Sequence, residues 1–566
     1  MLSSPPERPR ARHASSHRSS VRRLAGCCAA ALLLVAVACV GDRAPASPPP
    51  GGGTAGGEAV AGDGIARGGD YYAEPTRPQI HLTPERGAMG EPTGLVYHGG
   101  LYHLYYRHNR DAGAPNATHW GHATSTDLVT WAHQPPVLTS EAPGGISGGS
   151  VVADPANSAG FGAGALVAVF AEGEAQTLKL AYSSDGGYSF TRSDGALELP
   201  VADGAAPRDP RVMRDAASET WVLTVAAGDH VRLFTSPDLK TWTARSRFGE
   251  GVAIGDVATG GEAAAAWRRP CLLPLRNALT GDKGHVLLVS VDAGAPAGGS
   301  GTAYFTGRFD GERFAPDAGA GGPHWLDYGS DDYAVATWAN SPTPDHRALA
   351  VGWMGDRAAA ETATTDPWRA AMTLPRVLSA VPTDRGPRLR ARAVPDLRKY
   401  RGRRLNFTRL SDVIPTGLPA LTGAWAGKPF ELVLDLDNGR VPDIAVVLAR
   451  ERGDTVSFGY DAEREAYFVD RGRAGGAESA LGSASRQEAP RKTYVRATTL
   501  RAVVDRGSVE LFGDDGFTVL TARYYPPGAP TQVYVEGETG INGTFYELEP
   551  AVPTPGSVAR VRLGLE

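Results

Sequence analysis

Residues 77–109 read RPQIHLTPERGAMGEPTGLVYHGGLYHLYYRHN, and residues 120–131 read WGHATSTDLVTW. An extended Arg77-Pro78-Gln79 entry leads to a Gly-rich, acidic turn around Glu91. Two strand-like runs follow, LVYH and LYHLYYRHN, joined by Gly99-Gly100. Gly-Gly between short apolar and aromatic runs predicts a β-hairpin, because both central residues can take positive φ. Pro92 biases Glu91 away from helix and towards extended backbone. The expectation is a carboxylate on a loop at the entrance to a strand.

The same punctuation continues downstream. STDLVTW (125–131), SSDGGYSF (183–190) and SPDLKTW (236–242) each place Ser, then Asp, then an aromatic after a strand-like run, with a weaker echo in FDGERF (309–314). An Asp that caps its own turn, followed by an aromatic that packs between sheets, suits a repeated β-unit. The spacing of Asp127, Asp185 and Asp238 is that of propeller blades, and residues 71–385 have room for about five. Beyond an Arg-rich stretch at 386–405, runs such as ELVLDL, IAVVLAR, TVSFGY and SVELFG alternate apolar and polar residues as sandwich strands do. Asp514-Asp515-Gly516 reads as a turn between two of them. The predicted class is all-β: a five-bladed propeller (71–385) followed by a C-terminal sandwich (386–566).

Composition agrees. In 566 residues, 71 Gly and 43 Pro imply many turns, and 19 Tyr and 10 Trp fall in short runs. The net charge of -5 and the lack of basic–aromatic runs argue against nucleic acid as a partner. Three of the four cysteines, Cys27, Cys28 and Cys39, lie in the first 39 residues. Only Cys271 remains in the body, which excludes an intradomain disulfide and argues against a cysteine metal site. No metal or organic cofactor is implied. Arg18, Arg22 and Arg23 precede a short apolar run at 29–38, which reads as an export segment rather than a spanning helix. Its end, Val37-Ala38-Cys39, resembles a lipobox, in which Cys39 would be lipidated; ordinary cleavage near Ala38 is the alternative. Residues 40–70 read as a flexible Gly/Pro/Ala tether. The expected location is exported, either at the cell surface or secreted, with a membrane met only through the lipid.

From Arg77 onward the chain resembles glycoside hydrolase family 32, the levanases, inulinases and invertases. RPQIHLTP, YYRHN and WGHATSTDLVTW resemble the family's opening blocks. Ile146-Ser147-Gly148-Gly149-Ser150 is similar to its FSGS block, and Arg208-Asp209-Pro210 to its RDP triplet. LDYGSDDYAVATW (326–338), GWM (352–354), DPWRAAMTLPRVL (366–378) and VDRGSVELFGDDG (504–516) follow in family order. The resemblance implies the propeller–sandwich fold, a fructan or related oligosaccharide as partner, and hydrolysis with retention. It also implies three carboxylates: a nucleophile, an acid/base and a transition-state stabiliser.

Glu91 falls at the nucleophile position, in Ala88–Gly94, where the family has WMNDPNG. Asp209 falls at the stabiliser position, braced by Arg208. Arg268 occupies the acid/base position, in Trp267–Leu273, where the family has WECPDLF. A guanidinium stays protonated and cannot cycle as general acid and base. Arg107, Trp120, Ser147 and Arg208 are expected at the substrate, with Glu250 and Glu262 as weaker candidates for a substitute acid. His81, His108 and His122 are expected in core or hydrogen-bonding roles. Two readings of function stand: a divergent hydrolase of β-fructosides that uses Glu91, Asp209 and a non-standard acid, or a non-catalytic, surface-anchored glycan-binding protein. For the arginines, either Arg268 pairs with Glu91 in a site that no longer cleaves, or the pocket is retuned for an anionic sugar.

Overall fold

The computed structural model describes residues 70–552 apart from short internal stretches, the longest being 256–265, 356–364, 415–427 and 475–484. The export segment, Cys39, the tether up to residue 69 and Glu262 lie outside the described residues.

Five sheets, antiparallel except for one short pair, precede residue 394 among the described residues. Their first strands are Gly87–His98, Ile146–Asp154, Arg208–Asp215, Trp267–Arg276 and Tyr333–Thr337. Each first strand packs against the next, and Tyr333–Thr337 returns to Gly87–His98, which closes a ring. Two backbone links seal the closure. Trp368–Arg369 pairs in parallel with Gly87 and Ala88. The Ala339 amide donates to Leu95 O at 2.9 Å while its own carbonyl accepts from the Tyr97 amide at 2.9 Å. This is the β-propeller architecture, in which radial repetition leaves only short edges.

The recurring Asp residues do the local work the sequence suggests. Asp127 accepts from the Val129 and Thr130 amides at 3.0 and 2.9 Å. Asp185 accepts from Tyr188 and Ser189, Asp238 from Lys240 and Thr241, and Asp310 from Glu312 and Arg313. Each turn joins the third and fourth strands of its sheet. The Gly99-Gly100 hairpin forms with φ of +57° and +82°, values that only glycine takes without strain.

Glu91 departs from the expected loop. The first strand runs unbroken from Gly87 to His98, so Glu91 sits inside it. Pro92 is tolerated because register shifts flank it, between Met89 and Pro92 and between Pro92 and Leu95.

The C-terminal part is a sandwich of a six-stranded and a five-stranded sheet. Phe430, Phe458, Tyr467 and Phe545 lie in its buried core. The expected boundary at 385/386 falls one strand too early. Arg388–Ala393 pairs with Arg376–Val381 and belongs to the last propeller sheet. Its arginines suggest a connector, but Leu389, Ala391 and Ala393 alternate with them and are buried. Propeller and sandwich share one core, in which Val503, Phe512 and Val519 join Leu95, Leu104 and Trp338. A buried polar seam reinforces it: Arg376 reaches Asp327, Asp332 and Glu510 at 2.8–3.0 Å, and His81 bridges Asp505 and Glu510.

Candidate functional site

The first strands of the ring are irregular where they meet. Bulges interrupt Gly87–His98 around Pro92, Ile146–Asp154 between Ile146 and Gly149, Trp267–Arg276 between Arg268 and Cys271, and Tyr333–Thr337 between Tyr333 and Ala336. A bulge re-aims side chains that strict alternation would send to opposite faces. Asp209 and Arg269 add a second device, since both hold left-handed backbone with φ of +53° and +50°. Such a conformation costs on the order of 1–3 kcal/mol per residue and persists only where its surroundings hold it.

Here the surroundings are ionic. The Arg269 guanidinium places Nη2 3.0 Å from Glu91 Oε1 and Nη1 2.9 Å from Asp209 Oδ1. The Arg269 amide also donates to Asp209 Oδ2 at 3.3 Å. Arg107 Nε lies 3.1 Å from Glu91 Oε2, so both Glu91 oxygens face guanidinium. Arg211, buried beneath, donates to the carbonyls of Pro92 (2.8 Å) and Thr93 and so holds the bulge beside Glu91. Burial opposes the charge on Arg269, but the Asp209 and Glu91 carboxylates outweigh it and raise its pKa above the ordinary value. Among the described residues Arg211 has no carboxylate within bonding reach, and burial pulls its pKa down.

A second group lies alongside. Arg268 Nε donates to Asp292 Oδ2 at 3.0 Å, and the Tyr333 hydroxyl donates to Asp292 Oδ1 at 2.6 Å. Burial, then the nearby Asp292 carboxylate, lifts the Tyr333 hydroxyl well above its usual pKa. The two layers differ in access. Glu91 and Asp209 side chains are 2% and 7% exposed, whereas those of Arg107 and Arg268 are 32% and 24% exposed. Glu91 and Asp209 lie beneath, and the outer layer holds Arg107, Arg268 and Asp292, the last 17% exposed.

Several sequence expectations change. The partner of Glu91 is Arg269, not Arg268, because the bulge and the left-handed turn at Arg269 bring the second arginine inward and leave Arg268 on Asp292. Arg208 is exposed and does not brace Asp209; Arg269 does. Trp120 is fully buried, stacks on Tyr105 and meets Phe170 edge-on, and its Nε1 donates to Ser147 O at 3.0 Å. It packs between the first two sheets instead of presenting a face to a sugar. Ser147 Oγ donates to Gln176 at 2.8 Å. Glu250 is exposed and pairs with Arg247. His81, His108 and His122 hydrogen-bond within the protein, to Asp505 and Glu510, to Arg86 O and to His103.

Sequence reasoning missed Arg269, Arg211, Asp292 and Tyr333. The doublet Arg268-Arg269 at the start of an apolar strand was the available signal, since one of two adjacent strand residues must point inward.

The profile "Glycosyl hydrolases family 32 N-terminal domain" matches residues 81–391, and "Glycosyl hydrolases family 32 C terminal" matches 397–549. A levanase of Bacillus subtilis (strain 168) is 35% identical over 465 residues, which cover 81% of this chain and 67% of the levanase. An extracellular exo-inulinase of Aspergillus niger (strain ATCC MYA-4892 / CBS 513.88 / FGSC A1513) is 30% identical over 499 residues, covering 80% of this chain and 90% of that protein. Another levanase, from Bacillus sp. (strain L7), is matched over 51% of its length, so the chain spans about half of that relative. The crystal structure of exo-inulinase from Aspergillus awamori superposes with a TM-score of 0.74 at 26% identity, covering 85% of this chain and 99% of that one. With both domain profiles in order on a propeller and a sandwich, the chain belongs to glycoside hydrolase family 32.

Proposed function

We propose that this chain is an exported carbohydrate-binding member of the family that recognises a fructan or related oligosaccharide without cleaving it. The observation that carries the reading is the Arg269 guanidinium shared by Glu91 and Asp209. Retaining hydrolysis needs a free carboxylate to attack the anomeric carbon and a second carboxyl group about 5–5.5 Å away to protonate the leaving oxygen. In this centre both oxygens of Glu91 are engaged, by Arg269 and Arg107. The expected acid position carries Arg268, which keeps its protons at working pH and cannot pass one to the leaving oxygen. Asp292, beside it, has one oxygen on Tyr333 and the other on Arg268. The residues that remain suit holding a saccharide better than breaking it.

Hydrolysis of β-fructosides is the second reading. It is favoured by the retention of Glu91 and Asp209 at the centre of the ring and by relatives named levanase and exo-inulinase. Prolonged incubation with levan, inulin and sucrose, paired with calorimetry on the same samples, separates the two. Binding without reducing-sugar release is the expected result. Release that vanishes in Glu91→Gln and in Asp209→Asn would establish the hydrolase instead.

Export rests on the basic–apolar segment at residues 18–38, with Cys39 as the attachment point for lipid. Metabolic labelling with a radioactive fatty acid, lost in Cys39→Ala, is the result this part of the reading requires.

A further inference from the structure

Arg107 and Arg268 each turn Nε towards an acid. Arg268 Nε donates a hydrogen bond to Asp292 Oδ2 at 3.0 Å, and Arg107 Nε forms an ion pair with Glu91 Oε2 at 3.1 Å. Among the described residues their terminal nitrogens have no partner, and both side chains remain partly open to solvent. A guanidinium anchored through Nε has its orientation set and presents the Nη1/Nη2 edge as a ready fork, the geometry that grips phosphate, sulfate or carboxylate by two parallel hydrogen bonds.

The charges around the two forks lie in two layers. Three carboxylates (Glu91, Asp209, Asp292) meet four guanidiniums (Arg107, Arg211, Arg268, Arg269), and Arg208 stands exposed at the start of the strand that carries Asp209. Arg269 and Arg107 together balance Glu91 and Asp209, Asp292 balances Arg268, and the formal excess rests on buried Arg211 and exposed Arg208. A neutral sugar would use an arginine fork only as a plain donor to hydroxyls. An anionic group answers the geometry of the two forks.

We infer that the centre of the propeller takes a saccharide bearing a phosphate, sulfate or carboxylate group, gripped by the terminal nitrogens of Arg107 and Arg268. The inference rests on the binding reading above and names the chemical class of its ligand.

The test is calorimetric titration of the full chain with fructose 6-phosphate, glucuronic acid, fructose, levan and inorganic phosphate, each at low and high salt. At least one charged sugar is expected to bind at least about tenfold tighter than the neutral sugars, in line with hydrogen bonds to charged groups. The advantage should shrink as salt rises, because both arginines are partly exposed. Arg107→Gln and Arg268→Gln should each erase most of it, and Arg107→Lys, which keeps the charge and loses the fork, should restore only part.

Fructose binding as tightly as fructose 6-phosphate would overturn the inference, as would inorganic phosphate matching the sugar phosphate, which would mark an anion site with no sugar recognition. Failure of every charged sugar to bind would overturn it too. Should a variant unfold, the charged-versus-neutral and salt comparisons on the unaltered chain decide alone. Levan binding without cleavage and without charge preference would remove this inference and leave the binding reading standing, whereas levan cleavage would remove the binding reading itself.

Discussion

Gly148 and Arg269 occupy complementary space: a Cβ on Gly148 would lie 1.7 Å from Arg269 Nη1 and 3.2 Å from Asp209 Oδ1. The glycine is therefore the floor on which the central guanidinium rests. Gly148→Ala is expected to push Arg269 out of its seat and destabilise the fold by about 3–5 kcal/mol, the cost of breaking a buried ion pair. Gly540→Ala, where an added Cβ meets nothing within 4 Å, should stay within about 0.5 kcal/mol. Urea denaturation of both variants checks the contrast.

Removing the guanidinium itself separates charge from volume. Arg269→Met leaves Glu91 and Asp209 as buried neighbouring carboxylates without their shared partner. A loss of about 3–5 kcal/mol is expected. Adding Glu91→Gln and Asp209→Asn in the same chain removes the stranded charges and should recover most of that loss, a strong non-additivity measurable as a mutant cycle. Additive losses would show that the three side chains do not act as one unit.

The seam between propeller and sandwich makes a separate prediction. Arg376 serves Asp327, Asp332 and Glu510 at once, all buried. Arg376→Met strands three carboxylates and is expected to cost at least about 3–5 kcal/mol. Two separate unfolding transitions are expected in this variant, against one in the unaltered chain, because Glu510 belongs to the sandwich and Asp327 and Asp332 to the propeller side. Calorimetric and fluorescence transitions that remain coincident would show that the shared apolar core alone keeps the unfolding cooperative.

Stability should fall on both sides of a window near pH 6.5. Burial, chiefly, lowers His103 to about 4 and His108 to about 3. Their unfolded forms take a proton near 6.5, so below that pH the unfolded chain binds protons the folded chain refuses, and stability drops down to about pH 3–4. His81 runs the other way. Burial opposes its charge, but the hydrogen bonds to Asp505 and Glu510 outweigh it and raise the pKa to about 9. Its contribution is complete below 6.5 and is lost as pH rises through 9. In His81→Gln the alkaline limb of a melting-temperature profile should flatten while the acid limb persists.

Much of this protein was legible in its residues. The Gly99-Gly100 hairpin, the capping residues Asp127, Asp185 and Asp238, and the alternating strands after residue 405 all follow from local chemistry and all form. The ordered motifs from Arg77 to Gly516 place it in its family, and Glu91 and Asp209 do meet at the ring centre. These are properties of short windows, where backbone preference and side-chain period act without help from distant residues. The occupant of the centre is a different matter. Arg268 and Arg269 are chemically identical neighbours, and strand alternation says only that they point to opposite sides. A bulge and a left-handed φ on Trp267–Arg276, held by carboxylates from two other strands and a glycine from a fourth, select Arg269. That choice belongs to the tertiary structure, because the energy that decides it is ionic contact between residues up to 178 positions apart in the chain.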